Sequence, residues 1–192
     1  MAETLGSLVD KLSIKNLRLW HLDEAIEAKG GAHPDSAQLN AKRELVDRQR
    51  KELAKEIDAF VADALRGKVK IRDEKVKMYQ NRNVVSANEI VDMGRAIGEL
   101  TIRNIRLWHL EDEVRRTDIS DAEVVACKRK IDTANQERND LMDKVDEILE
   151  KQVKLRQVTQ KQVKPKQTKK KPAKRAKRRK GDFDIDVIQS TG

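Results

Sequence analysis

Leu12-Ser13-Ile14-Lys15-Asn16-Leu17-Arg18-Leu19-Trp20-His21-Leu22-Asp23-Glu24 returns as Leu100-Thr101-Ile102-Arg103-Asn104-Ile105-Arg106-Leu107-Trp108-His109-Leu110-Glu111-Asp112, at an offset of 88 residues. The same offset continues without a gap: Arg50 meets Arg138, Leu53 meets Leu141, Ile57 meets Val145 and Asp58 meets Asp146. A register held that long marks residues 12–65 and 100–153 as two copies of one unit. Both tryptophans of the chain occupy the same place in the two copies.

Each copy reads as a helical hairpin. Leu5, Leu8, Leu12, Leu19, Leu22 and Ile26 keep three-four spacing, matched by Leu100, Leu107, Leu110 and Val114. In the following helix, Leu39, Val46, Leu53, Ile57, Phe60 and Ala64 are answered by Ile131, Ala134, Leu141, Val145 and Ile148. Gly30-Gly31-Ala32-His33-Pro34 breaks the first hairpin, with Pro34 suited to a first helical turn. Ser120-Asp121-Ala122-Glu123 and Ser86-Ala87-Asn88-Glu89 read as capping boxes that open helices. The expected fold is all-α: two tandem hairpins packed as a four-helix bundle of approximate two-fold symmetry, with a disordered basic C-terminal tail. Pairing with a second copy of the chain, as a homodimer, is the main alternative. The boundaries expected are 1–66 for the first hairpin, 67–85 for a connector, 86–160 for the second hairpin and 161–192 for the tail. Within the connector, the alternation at 68–72 suits an extended segment lying on the helices.

Charge sharpens that division. Lys and Arg number 42 against 33 Asp and Glu, a net charge of +9. Twelve of the bases lie in residues 161–180, which hold no acid, and three of the acids lie in 181–192, which hold no base. Residues 1–160 are therefore formally neutral, and the basic segment is a separable module. Cys127 excludes an intramolecular disulfide framework and reads as a small buried side chain on a helical stripe. No apolar run approaches the roughly 18 residues that span a bilayer, so no membrane association is expected. Met1-Ala2-Glu3-Thr4 lacks the basic start of a secretory leader, and the expected setting is the cytoplasm, or the inside of a virion if the protein is viral.

The run from Glu3 to Ile14, together with Leu107-Trp108-His109-Leu110-Glu111-Asp112 and Asn135-Gln136-Glu137-Arg138-Asn139-Asp140, resembles a bacterial and phage family catalogued only as a domain of unknown function. The resemblance covers about residues 3–153 and implies a helical intracellular protein, without an activity. The first copy departs from it, carrying Asp47-Arg48-Gln49-Arg50 where the second has Asn135-Gln136-Glu137-Arg138.

Within the body, His21 with Glu24 and His109 with Asp112 are i, i+3 pairs, the spacing used by carboxylate-rich metal bundles but in reversed order. The plainer expectation is that each histidine packs beside a tryptophan at a helix seam, with no metal and no cofactor. Arg50 and Arg138 fall on apolar stripes, and a guanidinium there needs a partner. Asp23, Glu24, Glu111 and Asp112 are the candidates for an ion pair that sets hairpin register. The sharper reading is an anion or small-ligand pocket built from Asn104, His109, Glu111, Asn135 and Arg138. Glycine-rich phosphate loops, nucleophile elbows and zinc motifs are missing, so no positive case for an enzyme arises.

The tail carries the main functional expectation. Lys169, Lys170, Lys171, Lys174, Arg175, Lys177, Arg178, Arg179 and Lys180 form a polycation that binds nucleic acid by neutralising phosphates, without reading bases. Beyond it, residues 182–188 alternate acid and apolar side chains, a pattern that suits strand addition to a protein partner's sheet edge. The reading is a non-enzymatic helical module that associates with nucleic acid through its tail. A ligand-binding or enzymatic bundle around Arg138 and His109, and a structural component of a phage particle, are the alternatives.

Overall fold

A computed structural model of the chain describes residues 3–30, 33–72 and 84–163, with side chains described through residue 160. Thr4 opens the first helix, its hydroxyl accepting from the Ser7 N–H at 3.3 Å while its own N–H donates to Ser7 Oγ at 3.0 Å. This reciprocal cap satisfies two of the donors that a helix start leaves free. Helix α1 runs Leu5–Lys29 and ends at Gly30, whose φ of 72° and N–H bond to Ile26 O turn the chain. Helix α2 spans Ser36–Leu65 and is followed by a second positive-φ residue, Gly67. Helix α3 spans Met93–Val114 and α4 spans Asp121–Val163, a 43-residue rod of about 65 Å. The expected all-helical class holds, and no strand occurs among the described residues.

One capping box is where the sequence places it and the other is not. Ser120 N–H donates to Glu123 at 2.8 Å and Glu123 N–H to Ser120 Oγ at 3.4 Å, opening α4. Ser86 does not open a helix: residues 84–92 form an irregular stretch with a turn, and Ser86 Oγ accepts instead from Asn88 N–H at 3.2 Å. Ala87 and Ile90 of that stretch are buried, so their local hydrogen bonding serves a chain laid over the core rather than a helix start.

Helices α1 and α2 pack antiparallel, as do α3 and α4, and α1 also lies against both α3 and α4. The principal core joins the starts of α1 and α3 (Leu5, Val9, Ala96, Leu100) to the later turns of α2 and α4 (Ala64, Leu141, Val145, Ile148, Leu149, Val153). Val69 and Ile71 of the connector pack on this core, as the alternation at 68–72 leads one to expect. Full burial of such an aliphatic side chain contributes about 1.5–3 kcal/mol, so α4, with the most buried residues, anchors the assembly. A second cluster, Leu107, Cys127, Ile131 and Ala134, holds α3 to α4 near their connecting turn. Cys127 is buried there, its Sγ 3.3 Å from Leu110 O. Past Val153 the described residues of α4 are all exposed, so the helix runs on beyond the core.

Candidate functional site

Where α1, α3 and α4 meet, three polar side chains close on one another. Asp10 is 3% exposed, and Asn104 Nδ2 donates to its Oδ1 at 3.0 Å. Arg138 donates through Nε to Oδ1 at 2.8 Å and through Nη2 to Oδ2 at 2.5 Å. That two-pronged geometry is the strongest a guanidinium makes with a carboxylate, and its bond to Asp10 holds the Arg138 pKa above the ordinary arginine value. A buried carboxylate that accepts on both oxygens from Asn104 and Arg138 is held as a structural anion.

The partner of Arg138 is thus Asp10, not an acid following a tryptophan. Arg50 also departs from that expectation, donating to Asp47 within its own helix at 2.8 Å and 3.1 Å. The offset that maps Arg138 onto Arg50 maps Asp10 onto Gly98, which has no carboxylate to offer, and α2 packs on α1 rather than on α3. Asp23 bonds Arg43, and Asp112 accepts from Arg115 at 3.1 Å.

Two more buried contacts surround the triad. Gly6 N–H donates to Asp146 Oδ1 at 2.7 Å, placing a carboxylate at the start of α1, where helix dipole and free donors favour it. The helices come so close there that a Cβ on Gly6 would lie 2.2 Å from the Met142 carbonyl oxygen. On the far side of α3, Arg103 Nε donates to Glu137 at 2.6 Å, and Glu137 also accepts from Val85 N–H at 3.2 Å. Glu137 is therefore a glutamate on the buried face of a later helix, which the stripe reading overlooked. Its first-copy counterpart is neutral: Lys15 Nζ donates to Gln49 Oε1 at 2.6 Å. Asp10 sits on the stripe Gly6-Asp10-Ile14-Leu17, so the logic applied to Arg138, a charge on an apolar face, could have paired the two from sequence.

The tryptophan motifs lie side by side. His21 stacks on Trp108 with ring centroids 4.6 Å apart, meets Trp20 edge-on, and has Nδ1 3.0 Å from Glu24 Oε2. His109 instead is exposed. An open groove of about 450 Å³ runs between α1 and α3, lined by equivalent residues of both copies: Ser13 with Thr101, Leu17 with Ile105, His21 with His109, and by Trp20. A groove of about 290 Å³ on another face is lined by Arg18, Asn104, Trp108, Glu111, Arg115 and Arg138 among others.

Of the five residues proposed as a pocket, the structure brings Asn104 and Arg138 together on Asp10 and sets Glu111 in the same groove. His109 faces the groove beside Trp20, and half-buried Asn135 lines neither. No group of three or more histidine, cysteine or acidic side chains that could hold a metal ion occurs among the described residues. No described helix is long and apolar enough to cross a membrane. The basic run from Lys169 to Lys180 and the acidic-apolar stretch 182–188 lie outside the described residues.

No curated protein and no solved structure matches the chain. A family model does, over residues 1–72 and 83–173, which carries the match past the limit of about residue 153 read from the motifs and into the start of the basic segment. The chain belongs to the DUF4254 family, described as proteins of unknown function.

Proposed function

We propose that the protein associates with nucleic acid, without sequence preference, through its basic segment 161–180, with the helical body as scaffold. The observation that carries this reading is the segregation of charge: residues 1–160 are formally neutral, and twelve bases follow within twenty residues. In this reading the body is a four-helix bundle of approximate two-fold symmetry, supported by the convergence of all four helices on one apolar cluster. Helix α4 then acts as a stalk, since its exposed residues 154–160 lead directly into the basic segment. A polycation of this kind gains affinity by displacing counterions from phosphates.

Fluorescence anisotropy with labelled duplex DNA and single-stranded RNA tests this across a salt series. The comparison is the full chain against a full-length variant with the nine bases from Lys169 to Lys180 replaced by glutamine. If about six charges contact phosphate, affinity falls on the order of a thousandfold between low and moderate salt, and the variant loses binding. Equal binding by both proteins, or none at physiological salt, sinks the proposal.

A second reading has one observation in its favour: Arg18, Arg115 and Arg138 line one groove with Trp108, a set suited to an aromatic or phosphate-bearing anion. Pyrophosphate then raises the melting temperature of the wild type, and Arg18→Gln, on an exposed part of α1, abolishes the rise. An unchanged melting temperature removes this reading.

A further inference from the structure

The two copies carry the same helical stripe, and only one of them is covered. In α1 the stripe runs Gly6, Asp10, Ile14, Leu17, and α4 lies across its first half: Asp146 receives the Gly6 N–H, Arg138 grips Asp10, and Met142 touches Gly6. The equivalent stripe of α3 is Gly94, Gly98, Ile102, Ile105, preceded by Val91. Both glycines are exposed with nothing within 4 Å of a would-be Cβ, and Val91, Ile102 and Ile105 are 74%, 53% and 40% exposed. At the start of α3, the N-cap residue Asp92 makes no side-chain cap hydrogen bond, so the first N–H groups lack the carboxylate acceptor that Asp146 gives Gly6.

The chain contains a second helix with the α4 face. Arg50, Ala54 and Asp58 of α2 stand at the positions of Arg138, Met142 and Asp146, four residues apart and therefore on one side of the helix. Ala54 and Asp58 are exposed, and α2 packs extensively on α1 alone. A bare stripe and a bare face of the complementary kind thus coexist in one molecule. The intrachain α1–α4 contact shows how they fit.

We infer that the Val91–Ile105 stripe of α3 is a docking surface for α2 of a second copy of this chain. Asp58 of the partner copy caps the start of α3 near Gly94, repeating the bond from Gly6 to Asp146. Ala54 meets the glycine pair, and the exposed isoleucines are covered. Because Gly98 replaces an aspartate, Arg50 keeps its Asp47 partner and the new contact is more apolar than the old one. The same contact made in both directions gives a closed two-fold pair.

Sedimentation equilibrium of the full chain, nuclease-treated and at high salt so that bound nucleic acid cannot bridge copies, tests the inference. Wild type sediments at twice its 22.0 kDa mass. Gly98→Leu, whose Cβ has nothing within 4 Å in the isolated chain and which replaces the poorer helix former, keeps its circular dichroism and weakens pairing about tenfold or more. Asp58→Arg, at an exposed site, does the same by reversing the capping charge. Gly98→Cys combined with Ala54→Cys, oxidised, yields an interchain disulfide. A monomeric wild type, a dimer untouched by both single variants, or a disulfide closed within one chain overturns the inference, the last by showing that α2 folds onto its own α3.

Discussion

The first hairpin and the second hairpin share one pattern and differ in how deeply they are committed to the core. In α4, Asp146, Val145 and Leu141 are buried, whereas in α2 the equivalents Asp58, Ile57 and Leu53 are exposed or half-buried. Near the connecting turns, Ile131 packs with Leu107 and Cys127, while its counterpart Arg43 pairs with Asp23 at the surface. Arg103 and Glu137 form an ion pair where Lys15 donates to the neutral amide of Gln49. The difference teaches that a duplicated sequence need not yield duplicated energetics. A few substitutions at facing positions, with the connector laid over one side, bury α1 of the first copy and α4 of the second more deeply and leave faces of α2 and α3 open.

The sharpest way to break the comparison is at the triad. Asp10→Ala strands Arg138 and Asn104 and costs about 3–5 kcal/mol in urea unfolding, against less than about 1 kcal/mol for Arg50→Ala, whose pair is half-exposed. Equal costs for the two would show that the copies share the burden. Next in size, Ile131→Ala opens a cavity in the second cluster at about 2–4 kcal/mol, while Arg43→Ala barely moves the unfolding midpoint.

Gly6→Ala sharpens the contrast between glycines at equivalent places. Its new methyl runs into the Met142 backbone and costs about 1–3 kcal/mol, whereas Gly94→Ala, read in dilute protein, is neutral or stabilising by up to about 1 kcal/mol. The smallest effect is one of pH. Glu147 bonds Lys151 and Lys144, which lower its pKa to about 2. A carboxyl depressed on folding adds stability above its unfolded pKa of roughly 4.5, and that stability drains away as pH falls toward about 2. Discounted for solvent, the loss is about 1 kcal/mol, and Glu147→Gln flattens this part of an acid titration followed by thermal melting.

Much of the fold was legible in the residues. The repeat, the four helices, the Ser120–Glu123 cap, the buried Cys127 and the packing of Val69 and Ile71 in the connector all follow from local spacing. Less of the candidate site was legible. Arg138 was recognisable as a charge that needed a partner, yet Asp10 was hidden in a run read for its leucines. Ser86 looked like a cap because its four-residue pattern is local, but the packing of Ala87 and Ile90 decided otherwise.

By itself, then, the sequence determined the helical class, the duplication and the segregation of charge, because three-four periodicity, the 88-residue offset and composition are properties of neighbours along the chain. Only the tertiary structure decided which helix of each copy is buried and which acid meets which base. Asp10 and Arg138 are 128 residues apart, and their meeting depends on how α1 crosses α4. That crossing is set by the absence of a side chain on Gly6, which lets two helix backbones approach closely enough for buried charges to find one another.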